Sequence, residues 1–145
     1  MNPVPVVLVL DTNVVLDLFV YEDPATAPLR ERLADARTCW LATPVMREEL
    51  RRVLDYPQVV KRLVSRSLDA GAVLAAFDGR AQIVDVAPKA RYTCKDGDDQ
   101  KFIDLAVAHG AVLLSKDKAV LCMRKRLATL GVAIHRQWPV DLPAV

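Results

Sequence analysis

The chain has few cysteines, few glycines and no uninterrupted hydrophobic run long enough to cross a membrane. Its three cysteines (Cys39, Cys94 and Cys122) are far apart and form no Cys-x-x-Cys pair, which argues against a disulfide framework and against a zinc site. Asp11 and Asp17 interrupt the apolar residues near the amino end, so we expect neither a signal peptide nor a membrane span. These features predict a cytoplasmic protein with no membrane partner.

The chain also has a small net charge and no low-complexity stretch. The formal net charge of +2 is too small to indicate a polyanionic partner, and 52% hydrophobic against 26% charged residues argues against disorder. The length of 145 residues suits one domain that buries its own core. We expect a single domain over residues 1–145, with a core from about 6 to 136 and an extended tail over 137–145.

Short apolar runs alternate with helical patterns along the chain. The candidate strands are 6–10, 38–42, 82–86, 111–114 and 132–135. The helical patterns lie at 27–36, 45–54, 59–77, 100–108 and 119–130. Several strands are continuous apolar runs rather than alternations, which is typical of parallel strands covered on both faces. The pattern therefore predicts an α/β protein with helices on both sides of a parallel sheet.

Two of these strands are each followed by a carboxylate. Asp11 comes directly after the first strand, and Asp117 follows the fourth strand through Ser115 and Lys116. In open parallel sheets the functional site lies outside the carboxyl ends of the strands. We therefore expect Asp11 and Asp117 to share a site.

Helical geometry at 100° per residue selects two further acids. Glu49 borders the apolar face of its helix, whereas Glu48 points almost directly away from it. Asp99 falls within the buried face of the helix that follows the acidic loop, while Asp104 points to the opposite side and Asp98 lies near the edge. Glu49 and Asp99 can therefore face the same end of the sheet.

The four acids Asp11, Glu49, Asp99 and Asp117 would repel one another if they converged without a cation. A divalent metal resolves this repulsion, and an all-oxygen ligand set suits Mg²⁺ or Mn²⁺. The sequence leaves open whether one ion or two are bound. The natural chemistry of such a site is metal-assisted phosphodiester hydrolysis.

Four segments together resemble the PIN-domain family, and most of all its prokaryotic branch of toxin-antitoxin ribonucleases. They are Val9–Val14, Thr43–Leu50, Asp96–Ala106 and Leu113–Asp117. The resemblance runs from about Val6 to His135. It implies a three-layer α/β/α sandwich with a five-stranded parallel sheet, a metal-dependent nuclease site, and RNA as the substrate.

The resemblance also assigns roles to individual residues. The family's four acids correspond, in order, to Asp11, Glu49, Asp99 and Asp117. The supporting polar positions correspond to Asn13 and to Ser115, where Ser replaces the commoner Thr. For the third acid, Asp96 and Asp98 are alternatives to Asp99, because a shift of register by a few residues would exchange them.

Each acid taken alone has a structural explanation as a helix cap or a surface ion pair. The order of all four, each at a strand end or an inward helix turn, favours a shared site over capping alone. Lys116 and Lys118 flank Asp117, and Lys95 precedes the acidic loop, so these three lysines are candidates for contact with substrate phosphates.

The resemblance implies RNA and a small antitoxin protein as partners, and it is compatible with a homodimer. An alternative is a catalytically inactive PIN-like module that binds RNA or protein. A phosphatase of the haloacid dehalogenase type is disfavoured, because Asn13 stands where that chemistry needs a second Asp. The sequence names no RNA target.

Overall fold

The strand order determines where a site can lie. The computed structural model describes residues 5–138. Its strands are β1 (Val6–Leu10), β2 (Thr38–Ala42), β3 (Ala81–Ile83), β4 (Val112–Leu114) and β5 (Ala133–His135). They form one parallel sheet in the order β3-β2-β1-β4-β5, which confirms the predicted α/β fold with a five-stranded parallel sheet. The chain changes direction across the sheet between β1 and β4, where open parallel sheets leave a crevice.

Helices fill the connections between the strands in the described part of the chain. They are α1 (Thr12–Phe19), α2 (Ala27–Ala34), α3 (Pro44–Val53), α4 (Pro57–Ser65), α5 (Ala70–Arg80), α6 (Gln100–His109), α7 (Lys118–Leu121) and α8 (Arg124–Ala128), with 3₁₀ turns at Pro24–Thr26 and Gly97–Asp99. Asp11 caps α1 and Asp117 caps α7. Each of these two acids therefore stands at the junction between a strand and a helix.

The helix predicted over 59–77 is in fact two helices, α4 and α5. Ser67 lies between them with φ of +56°, a left-handed conformation that ends a helix. Asp69 then begins α5 by accepting a hydrogen bond from the Ala72 backbone amide at 2.8 Å. The pattern predicted over 119–130 is likewise divided, into α7 and α8.

From residue 139 onward, the tail predicted over 137–145 lies outside the described residues. No helix within residues 5–138 is both long enough and apolar enough to span a membrane.

The central strand β1 lies in the core. Leu8 and Val9 have no exposed surface. In the neighbouring strand, the Trp40 ring meets Phe77 edge to face at a centroid distance of 5.1 Å. Asp11, directly after β1, is only 4% exposed. A carboxylate buried so deeply is costly unless it is hydrogen-bonded or neutralised, so its partners are informative.

Candidate active site

Ser115 joins the acids that follow β1 and β4. Its hydroxyl donates a hydrogen bond to Asp11 Oδ2 at 2.7 Å and accepts one from the Asp117 backbone amide at 3.1 Å. The Asp11 backbone amide continues the sheet by donating to the Leu114 carbonyl at 3.0 Å. Ser115 is fully buried. Asp11 and Asp117, which are about a hundred residues apart in sequence, therefore meet at the switch point of the sheet.

Asp99 enters the same crevice from the 3₁₀ turn before α6, where it is 7% exposed. Within residues 5–138, its Oδ2 is the single fully buried side-chain polar atom with no hydrogen-bond partner. Burial raises the pKa of Asp99 to about 8, helped by a side-chain hydrogen bond with Asp117 and by repulsion from Asp11. Without a metal ion, the site therefore keeps a proton at neutral pH.

Asp96 belongs to this cluster as well. Asp96, Asp99 and Asp117 each present one carboxylate oxygen, and the three oxygens lie within 4.8 Å of one another. The sequence offered Asp96 only as a replacement for Asp99, whereas the structure places both at the site. An all-oxygen set around an unpartnered buried oxygen fits Mg²⁺ or Mn²⁺.

The groups that shift the pKa of Asp11 include other predicted acids. Burial is the main cause that raises its pKa, partly offset by hydrogen bonds from Ser115 and the Asn13 backbone amide, while Asp117 and Glu49 raise it further by repulsion. All four predicted acids are thus within electrostatic reach of the site. Asn13 supports Asp11 through its backbone amide, at 3.2 Å, and its side chain is exposed.

The same carboxylate can cap a helix and belong to the acidic site. Asp11, Asp96 and Asp117 each accept a hydrogen bond from the backbone amide two residues further along the chain, at 2.8 to 3.2 Å. Asp99 makes no such bond, although it precedes α6. Capping therefore explains three of these carboxylates but leaves Asp99 unexplained.

Glu49 lies at the edge of the crevice and is held by two residues that no sequence pattern indicated. Thr12 donates to Glu49 Oε2 at 2.5 Å, and Lys101 Nζ donates to Glu49 Oε1 at 2.9 Å. Its neighbour Glu48 is exposed and pairs instead with Arg51, so α3 turns the two acids in the directions that helical geometry predicted. The one weak signal for Lys101 in the sequence was its position two residues after Asp99.

The predicted phosphate-binding lysines are all exposed. Lys116 forms an ion pair with Asp17 at 2.5 Å. It also lines a groove of about 280 Å³ beside the acidic site, together with Asn13, Tyr21 and Tyr56. Both tyrosines are exposed, so aromatic, amide and cationic groups share one accessible surface next to the carboxylates.

Comparisons with known proteins agree with this geometry. The sequence profile of a family described as PIN domain matches residues 7–119. No curated protein sequence gives a significant match. A chain in the crystal structure of VapBC2 from Rickettsia felis bound to a DNA fragment from their promoter is similar in structure, with a TM-score of 0.62 and 15% sequence identity. The similarity covers 88% of this chain and 98% of that chain. The profile match extends from β1 into α7 and so includes every carboxylate of the site.

Proposed function

The chain belongs to the PIN-domain family, whose members are generally nucleases that use divalent metals, and we propose that it is a metal-dependent endoribonuclease. The reaction is hydrolysis of RNA phosphodiester bonds. The observation that carries the proposal is the unpartnered buried oxygen of Asp99 among carboxylates at the switch point of the sheet. A structural ion pair or cap would have satisfied that oxygen, whereas a metal site requires it to be available.

Asp11, Glu49, Asp99 and Asp117 are the four predicted acids of the proposed active site, and Asp96 adds a fifth carboxylate. Asp96, Asp99 and Asp117 have the oxygens best placed to hold Mg²⁺ or Mn²⁺. When bound, such an ion supplies Lewis-acid stabilisation of charge on the phosphodiester and makes water more acidic.

Ser115 keeps Asp11 and the Asp117 backbone in a fixed relation, so these two carboxylates are oriented before substrate arrives. Asn13 supports Asp11 from the start of α1. Lys95 precedes the acidic loop and Lys118 follows Asp117. Both are exposed and can contact substrate phosphates. Lys116 lines the groove and can also contact a phosphate. A phosphate there would replace Asp17 as the ion-pair partner of Lys116.

RNA fits the surface beside the carboxylates. Single-stranded nucleic acids bind through cationic groups together with aromatic rings on which bases stack. Tyr21, Tyr56 and Lys116 supply both kinds of group in one groove that Asn13 connects to Asp11. We therefore place a nucleotide adjacent to the scissile phosphate in this groove.

The biological role that we propose is that of a toxin acting on cytoplasmic RNA and restrained by a small antitoxin protein. The sequence resemblance to the toxin-antitoxin branch supports this role, and the structural similarity to a chain of VapBC2 agrees with it. A homodimer is part of the same proposal. Co-expression with the product of a neighbouring short reading frame would test it, since an antitoxin should relieve growth arrest and copurify with the chain.

Cleavage of a mixed RNA pool tests the activity. We expect products with 5′-phosphate ends in Mn²⁺ or Mg²⁺ and none in excess chelator. Asp11→Asn and Asp99→Asn should each reduce the rate by at least about 100-fold. Glu48→Gln is the matched control, because Glu48 lies in the same helix as Glu49 but faces solvent, and it should retain the wild-type rate.

Cleavage that persists in chelator, or in Asp11→Asn, would contradict the assignment. Equal RNA binding with and without metal, and no cleavage, would indicate the inactive binding module instead.

A further inference from the structure

Lys101 places a positive charge inside the acidic site. It lies in the first turn of α6, two residues after Asp99, and its side chain is only 20% exposed. Its Nζ donates to Glu49 Oε1 at 2.9 Å and also to the Asp98 carbonyl. The same atom lies 4.9 Å from the centroid of the Phe102 ring. Contacts with α3, with the 3₁₀ turn and with α6 itself therefore fix the position of the ammonium group.

Glu49 already has a partner for each of its oxygens. Lys101 occupies Oε1, and Thr12 donates its hydroxyl to Oε2. The Glu49 side chain is only 19% exposed, so little water competes for either oxygen. Asp99 is in the opposite situation, because no donor reaches its buried Oδ2. The acidic site thus has one end neutralised by the protein and one end that lacks a cation.

A second divalent ion at Glu49 would have to approach the ammonium of Lys101. A Mg²⁺ ion lies about 2.1 Å from its ligand oxygens, so an ion on Glu49 would stand within a few ångströms of Nζ. Like charges at that separation repel strongly in a partly buried site. The oxygens of Asp96, Asp99 and Asp117 come together within 4.8 Å, and none of them is paired with Lys101.

We propose that Lys101 is a positioning residue that takes the place of a second divalent ion, so that the active site holds one ion, on Asp96, Asp99 and Asp117. The inference rests on the proposed metal-dependent function. In this arrangement Glu49 acts through Thr12 and Lys101, by joining α3 to α1 and α6, and it is not a direct ligand.

Counting bound Mn²⁺ tests the proposal without any cleavage assay, because the electron paramagnetic resonance signal of free Mn²⁺ disappears on binding. The wild type should bind one ion per chain with useful affinity. Lys101→Met should bind a second ion at least about tenfold more tightly than the wild type does. Lys101→Met combined with Glu49→Gln should return to one ion, because the uncovered site then lacks its carboxylate.

Three further variants keep the test decisive if Lys101→Met folds poorly. Glu49→Gln alone and Lys101→Arg should each bind one ion, as the wild type does. Lys125→Met removes an exposed lysine from α8 and controls for the loss of one positive charge.

Two results would overturn the proposal while leaving the metal-dependent function intact. One is a wild type that binds two ions and loses one of them in Glu49→Gln. The other is an unchanged number and affinity of ions in folded Lys101→Met. A wild type that binds no Mn²⁺ would refute the metal-dependent function itself and this proposal with it.

Discussion

Replacing Asp99 with asparagine should make the metal-free protein more stable, and more so as the pH rises. The unfolded chain ionises Asp99 near the ordinary pKa of 3.8, whereas the folded metal-free protein holds that proton up to about pH 8. Between these values the unfolded state releases a proton that the folded state keeps, so the free energy of unfolding falls as the pH rises. An asparagine side chain at this position is neutral in both states, and its amide can still donate to Asp117.

The size of the effect follows from the same two pKa values. A tenfold difference in proton affinity corresponds to about 1.4 kcal/mol, which sets an upper limit of roughly 4 kcal/mol at pH 7. Because Asp99 and Asp117 interact through a hydrogen bond and through their charges, their protonation is linked and the measured gain should be smaller than this limit. For a chain of this size, each kcal/mol changes Tm by about 3 °C. We expect Asp99→Asn to melt up to about 10 °C above the wild type at pH 8, and close to it at pH 4.

Metal should reverse the order of stability. Mn²⁺ replaces the proton on Asp99, so it should raise the Tm of the wild type, more at pH 8 than at pH 6, and leave Asp99→Asn nearly unchanged. Thermal melts in chelator and in Mn²⁺, each across a pH series, measure both effects. Asp98→Asn is the matched control, because Asp98 is adjacent and exposed, and it should behave as the wild type does. If Asp99→Asn in chelator melts at or below the wild type at pH 8, the explanation based on a buried proton is wrong.

Three further substitutions probe other parts of the structure. Ser115→Ala removes the donor to Asp11 Oδ2 and should cost about 1–3 kcal/mol in a denaturant titration, with cleavage slowed by about 10–100-fold; an unchanged rate would show that the serine bridge is dispensable. Gly110→Ala should cost about 1 kcal/mol by the same titration, because φ is +60° while the space around it is open, and activity at 25 °C should not change. Tyr56→Ala should raise KM for RNA by about 5–100-fold through lost stacking and leave kcat within about twofold, whereas Val64→Ala, at an exposed position outside the groove, should leave both constants unchanged. A fall in kcat alone for Tyr56→Ala would place the RNA elsewhere.

The parts of the site that follow directly from strands could be predicted from sequence. An apolar strand in a parallel sheet leaves only its carboxyl end for polar residues, so Asp11 and Asp117 were expected to meet, and the structure brings them together through Ser115. The directions of Glu49 and Glu48 could also be predicted from helical geometry, because α3 is a regular helix with a consistent apolar face.

The other site residues and the helix boundaries depend on contacts that no local sequence pattern predicts. Asp96 was missed as an additional member because the chain around it forms a 3₁₀ turn, where residues are about 120° apart and the α-helical angle does not apply. Lys101 was missed because its partner Glu49 is 52 residues away on another helix. The break between α4 and α5 depends on the left-handed backbone conformation of Ser67. A serine in the sequence does not predict that conformation, which is usually adopted by glycine.

The hydrogen bonds of Ser115 to Asp11 and Asp117 also determine when the acidic site can first assemble during synthesis of the chain. Ser115 and Asp117 emerge from the ribosome about a hundred residues after Asp11, a delay of roughly 5 to 20 s at typical elongation rates. A nascent or truncated chain that ends before β4 can therefore contain β1, β2 and β3 and still have no assembled nuclease site. For a chain proposed to attack cellular RNA, this delay would leave the growing chain unable to cleave the messenger that encodes it until β4 and Asp117 have emerged.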